Sequence, residues 1–146
     1  MTARRQLSRS EYRSLADFRY LLRRFLEFSQ QAARHSGLTP AQHQALLAIK
    51  GFPGDADPTV GELAERLCIR HHSAVELVDR LEAAELLERR HSSDDRRRVR
   101  LRLTRSAEQR LAALTAIHLE ELHRLRPSLQ EILDRVGADA ETSPNA

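Results

Sequence analysis

Apolar residues recur along this chain at two different periods. Leu15, Phe18, Leu22 and Phe25 follow at spacings of 3, 4 and 3, which predicts a helix over residues 11–35. Leu21 and Phe28 lie about a third of a turn away and add a second apolar strip. A helix with two apolar surfaces has two things to cover, and one protomer's core supplies a single cover. Gly37 stands where glycine ends helices. Thr39-Pro40-Ala41-Gln42 reads as a new helix start, with Thr39 as cap, Pro40 in the first turn and Gln42 closing a capping box. Leu46, Leu47 and Ile49 are its predicted inner face, and residues 51–55 its closing loop. Thr59-Val60-Gly61-Glu62 is a second capping box, opening a short helix with Leu63, Ala64 and Leu67 inward. This helix stops near Cys68-Ile69. A third helix spans 71–84, with Ala74, Leu77, Val78 and Leu81 at i, i+3, i+4, i+7 and a polar face of His72, Ser73, Glu76, Asp79 and Arg80. A short helix, a tight turn and a helix with a polar outer face make a helix-turn-helix.

The period then changes to two. Residues 86–90 read as a short strand, residues 92–95 as a turn, and Val99, Leu101 and Leu103 alternate with Arg98, Arg100 and Arg102. The predicted unit is a β-hairpin beside the helix-turn-helix, a wing with arginines on its exposed face. Thr104 caps a long helix over 105–125, striped by Leu111, Leu114, His118, Leu122 and Leu125. Pro127 is read as the first turn of a separate final helix, Gly137 as its stop, and residues 138–146 as a flexible tail. The fold class is therefore mainly α with a small β-hairpin wing. Residues 1–146 form a single domain, with a winged helix-turn-helix lobe at 37–104. The apolar surface on 11–36 and 105–136 exceeds what that lobe needs, so these are predicted to be dimerisation helices.

Charge sharpens this picture. Residues 89–105 hold eight arginines against two aspartates, whereas the whole chain is only +3. Residues 51–88 run the other way, with nine acids against three arginines. A concentrated arginine block in a small protein points to a polyanionic partner. With 40% hydrophobic and 31% charged residues the balance is that of a globular chain. No apolar run approaches a membrane span, and no apolar stretch follows the basic residues 1–10, so a cytoplasmic protein without a signal peptide is expected. The single cysteine, Cys68, excludes an intrachain disulfide and is read as a small buried residue in a tight turn. The seven histidines show no metal-ligand spacing: His118 and His123 are five apart, and His71 and His72 point apart. Nothing is spaced as a nucleophile elbow, a paired-carboxylate site or a glycine-rich phosphate loop. No enzyme, metal or cofactor is expected.

The ordered set resembles the MarR family of transcriptional regulators. Gly37-Leu38-Thr39-Pro40-Ala41-Gln42 is similar to the opening of that family's second helix. Leu63-Ala64-Glu65-Arg66-Leu67 and Val78-Asp79-Arg80-Leu81-Glu82 resemble its helix-turn-helix, and Asp95-Arg96-Arg97 with Val99, Leu101 and Leu103-Thr104 resembles its D-x-R turn and following strand. The chain departs at Glu85 and near Ala107, where the family often has glycine, and at Arg70, where it usually has a helix cap. The resemblance, over about residues 11–136, implies a homodimer on palindromic double-stranded DNA, most often a repressor released by a small-molecule effector. It assigns major-groove reading to Arg70, His71, His72, Ser73, Val75 and Glu76. It places Arg97 in the minor groove, steadied by Asp95, with Arg96 and Arg98 on phosphates. It also suggests Phe18, Tyr20 and His43 as effector-pocket residues. Two other classes compete: a winged-helix module for protein–protein contact, which has no need of so basic a wing, and an RNA-binding module, which the 4% aromatic content disfavours.

Overall fold

The structure, a computed structural model, describes residues 5–92 and 97–142. Its elements in chain order are α1 (Arg9–His35), α2 (Pro40–Lys50), α3 (Val60–Leu67), α4 (His71–Ala83), β1 (Leu87–His91), β2 (Val99–Leu103) and α5 (Arg105–Thr142). They fall into two units. A winged unit spans residues 30–116, and a helical unit combines residues up to 29 with those from 117 onward.

The winged unit starts its helices as the sequence predicts. Thr39 accepts from the Gln42 amide while the Gln42 side chain accepts from the Thr39 amide, and Thr59 and Glu62 repeat the pair. Both are complete capping boxes, so two otherwise orphaned amide groups are satisfied at each start. At α4 the cap position is Arg70, which makes no side-chain cap bond. Thr104 does double duty before α5: its hydroxyl donates to the Glu85 carbonyl (2.8 Å) and accepts from the Ala107 amide (3.2 Å).

Three helices also end alike. Gly37, Cys68 and Glu85 all have positive φ, at 75°, 55° and 59°. The amide after each reaches back five residues: Leu38 to Ala33, Ile69 to Ala64 and Leu86 to Leu81. This closure satisfies helix-terminal carbonyls and turns the chain sharply, with an aliphatic residue following the left-handed one. Gly37 adopts that conformation freely, whereas Cys68 and Glu85 hold it against a Cβ clash of about 1–2 kcal/mol. Cys68, expected to be buried, is exposed.

One core serves the winged unit. Leu46 and Ile49 of α2, Leu63 of α3, Val78 and Leu81 of α4, Leu87 of β1, Leu101 and Leu103 of β2, and Leu111 and Leu114 of α5 are all buried in one cluster. On α2 the inner face is His43, Ala45, Leu46 and Ile49; Leu47, expected inside, is exposed. β1 and β2 pair antiparallel with Leu87 opposite Leu103 and Arg89 opposite Leu101. The Leu101 amide donates to the Pro58 carbonyl at 2.8 Å, so the loop before α3 lies along the other edge of β2.

The helical unit has little core of its own. Ile132 is its one fully buried large aliphatic side chain among the described residues. Contacts between α1 and α5 run in opposite chain order: Ser10 bonds Asp139 (2.8 Å), Asp17 pairs with Arg135 (3.1 Å), and Ser29 bonds His118 Nε2 (2.8 Å). Phe25 and Phe28 meet the His118 ring edge-on, with centroids at 5.9 and 5.4 Å.

Two predicted boundaries are corrected here. α5 runs without a break through Pro127, and it passes Gly137 to reach Thr142. Proline removes one amide donor and crowds the carbonyl four residues back, which argues for a boundary. His123, four residues back, is exposed, however, so water can take up its freed carbonyl, and helix-forming Leu125 and Arg126 precede the proline. Residues 138–142, expected in a flexible tail, are helical, and residues 143–146 lie outside the described residues.

The left-handed residue at the end of α4 generates a stability prediction. Glu85→Gly should raise the unfolding free energy by about 0.5–1 kcal/mol, and Gly37→Ala should lower it by about 1 kcal/mol. Denaturant titration of the three proteins measures both. A Glu85→Gly protein no more stable than its parent would show that this turn carries no strain.

Candidate nucleic-acid interface

The candidate site is built by the burial pattern of α4. Ala74, Val78 and Leu81 are wholly buried, which turns the opposite face outward. His72 and Glu76, four residues apart, lie on that face one above the other. Of the six predicted reading residues, Arg70, His71, His72 and Glu76 are exposed, and Ser73 and Val75 are half-buried. The turn made by left-handed Cys68 brings α3 to the start of this helix, with Arg70 in extended backbone before it.

The wing stands next to α4 in sequence. Arg97 and Arg98 are exposed just before β2. Asp95 and Arg96 lie outside the described residues, as does the predicted Asp95–Arg97 pair. Arg98 lines a groove of about 590 Å³ shared with Phe52, Asp55, Glu62 and Arg100.

The strand arginines do not all offer their charge to solvent as the alternating pattern predicts. Arg100 is half-buried; it donates to the Asp57 carbonyl at 2.7 Å and lies 3.8 Å from Glu62. Arg102 donates to the Asp57 carboxylate at 2.9 Å. Arg90, opposite Arg100 across the hairpin, pairs with Glu88 at 3.0 Å. Like charges facing across a hairpin repel, and these carboxylates and the carbonyl offset that repulsion. Arg89 shares the inward side of β1 with Leu87 and bonds both Asp79 and Glu82 of α4. Its guanidinium is held more firmly charged than usual, first by the hydrogen bond to Asp79. Asp57 and Arg89 are the residues that sequence reasoning missed. The signal available was Arg89's place in the Leu87-Arg89-His91 alternation; nothing in the pattern marked Asp57.

The three residues suggested for an effector pocket are distributed between the two units. Phe18 lines an apolar groove of about 500 Å³ in the helical unit with Leu15, Ile132, Leu133 and Val136. Tyr20 is exposed on α1, its hydroxyl accepting from Arg24 (3.0 Å) and its ring 5.8 Å from that guanidinium. His43 is buried on α2 in the winged unit. Among the described residues no cluster of three His, Cys, Asp or Glu side chains could hold a metal, and no helix is long and apolar enough to cross a membrane.

The profile of the MarR family matches residues 36–98, which run from the end of α1 to the wing. No curated protein sequence matches the chain. Among solved structures, a MarR family protein from Bacillus stearothermophilus superposes with a TM-score of 0.72 at 19% identity, over 94% of this chain and 100% of that one. AbsC, a MarR family transcriptional regulator from Streptomyces coelicolor, gives 0.70 at 20% identity over 96% and 94%. A MepR variant from Staphylococcus aureus, solved bound to an oligodeoxyribonucleotide, gives 0.62 at 22% identity over 93% and 95%. The match across residues 36–98 and the fold shared over more than nine-tenths of the chain make it similar to the winged helix-turn-helix proteins of the MarR family.

Proposed function

We propose that this protein is a sequence-specific regulator of transcription and not an enzyme, a cytoplasmic homodimer that binds a palindromic operator in double-stranded DNA. The observation that carries this reading is the outward face of α4, with His72 and Glu76 exposed in line, on the same unit as the exposed Arg97 and Arg98. A helix fits the major groove, where each base pair shows a distinct pattern of donors and acceptors, and histidine and glutamate can read that pattern. Arginines at a hairpin tip suit the narrow, strongly negative minor groove of A·T-rich DNA. The MepR variant bound to an oligodeoxyribonucleotide supports the same use of this fold. The repressor role, release by a small-molecule effector, and the assignment of Phe18, Tyr20 and His43 to that effector's pocket rest on the family resemblance.

Dimerisation follows from the helical unit. Among the described residues, twelve large hydrophobic side chains stand exposed there, Leu15 and Leu119 at 63% and 60%. Exposed apolar surface on this scale marks an interface. A two-fold axis would also set two copies of α4 one DNA turn apart.

Binding to a randomised duplex library at two salt concentrations tests the proposal. A palindrome with half-site centres ~10 bp apart should be enriched. DNA affinity without any enriched palindrome would leave a nonspecific binder, and none even at low salt would favour a protein-contact module. Sedimentation should give about twice the 16.7 kDa of one chain, and a monomer at micromolar concentration would sink the dimer.

The arginines should sort by their partners. Arg98→Ala should lower the slope of log K against log salt by about one for all sequences. Arg100→Ala and Arg102→Ala should change that slope less, because these side chains are already engaged with Asp57. Arg97→Ala should cost most on sites with A·T-rich flanks. His72→Ala or Glu76→Ala should relax preference at particular positions, by ~1–3 kcal/mol where a good base contact is lost.

A further inference from the structure

The reading face of α4 carries an electrostatic liability. Glu76, Asp79 and Glu82 place three carboxylates on this helix, and Asp79 follows Glu76 on the side that bears His72. The Asp79 and Glu82 side chains are 61% and 44% exposed. Arg80 on the same helix offsets one of them, and the net of −2 left on α4 would repel the phosphates on either wall of a groove.

One side chain answers two of these charges. Arg89 projects from the inward side of β1 between Leu87 and His91, and its own side chain is 29% exposed. Its Nη2 donates to Asp79 Oδ1 at 2.6 Å and its Nη1 to Glu82 Oε1 at 2.8 Å. Asp79 and Glu82 are three apart on α4, so a planar guanidinium reaches both at once where a lysine ammonium is a single point charge. The bridge also joins α4 to the first strand of the wing.

We propose that Arg89 is a positioning residue for DNA binding that acts through Asp79 and Glu82: its single positive charge offsets one of their two negative charges, so that the reading face repels a polyanion less. Arg89 itself faces inward and touches no base. The proposal rests on the DNA-binding reading above, and heparin, a polyanion without base pairs, separates the two in the test.

The experiment compares the full-length protein with Arg89→Ala, Arg89→Lys, the Asp79→Asn/Glu82→Gln double variant and the triple variant that combines Arg89→Ala with both amides. Affinity for a mixed-sequence duplex is measured across salt concentrations, together with the salt needed to elute each protein from heparin. Arg89→Ala should weaken binding about tenfold at low salt, and the gap should narrow as salt screens the bare carboxylates. Arg89→Lys should fall between it and the parent. The triple variant should return to within about threefold of the parent, because amides at 79 and 82 no longer repel phosphate. The double variant keeps every buried core residue and releases Arg89, so it should bind more tightly, with a salt slope steeper by about one. Heparin elution should run in the order Arg89→Ala, parent, double variant. Circular dichroism melts confirm folding, and if Arg89→Ala does not fold, the double variant decides alone. The proposal is overturned if Arg89→Ala binds like the parent, if the triple variant stays as weak as Arg89→Ala, or if the double variant matches the parent on both DNA and heparin. A parent protein that ignores DNA while the heparin order holds would overturn the DNA reading and leave only the charge offset by Arg89 standing; elution of all variants at the parent's salt concentration would overturn the Arg89 assignment itself.

Discussion

Ala74, Val78 and Leu81 have no exposed surface, and the rest of the candidate interface depends on their burial. They lie along one side of a thirteen-residue helix. Burying Val78 and Leu81 in one cluster with Leu46, Leu63, Leu87 and Leu101 fixes the rotation of α4 about its axis. His72 and Glu76 then have to point outward, because 3.6 residues per turn place them opposite the buried stripe. Rotating the helix to hide them would expose a valine and a leucine, each worth about 1.5–3 kcal/mol of burial. The same core takes Leu87 and Leu101 from the wing, so wing and helix are anchored to one set of contacts.

The ends of the helices supply the second level of control. Left-handed residues at 37, 68 and 85, each followed by an amide that reaches back five residues, turn the chain at the close of α1, α3 and α4. The residue after each turn is aliphatic, and two of the three, Leu38 and Leu86, are buried. Thr104 locks the last of these turns by donating to the Glu85 carbonyl as it caps α5. The junction between α4, wing and final helix is thus held by hydrogen bonds that do not depend on side-chain charge.

Charge is organised on that frame in layers. Arg89, Arg100 and Arg102 are committed to Asp79, Glu82, Asp57 and the loop before α3, while Arg97 and Arg98 lie exposed at the end of the hairpin turn. The arginine block therefore serves two purposes: part of it sets the wing against its neighbours, and part faces solvent. The helical unit poses a different physical problem. Its exposed leucines and aromatics have no cover within the unit, which makes association the natural way to bury them.

The sequence by itself determined the helix starts, the amphipathic stripe of α4, the two-residue period of the wing and the concentration of arginine around it. All of these are local: a capping box needs four consecutive residues, and a periodicity needs one element. The same local logic misplaced the boundary at Pro127, because a proline's cost is local but its tolerance depends on whether the freed carbonyl is exposed. It put Leu47 inside, because a stripe two residues wide on a short helix leaves its rotation to the neighbours that cover it. Above all, it could not show which arginines are spoken for. Arg89 lies seven and ten residues from its carboxylates, and Arg102 lies 45 residues from Asp57. No periodicity within one element encodes such pairs; they form when the wing folds back against α4 and the loop before α3. Net charge along the chain was legible, but the charge left over for a partner was decided only by the tertiary structure, since a cation's availability depends on the distance to the nearest carboxylate.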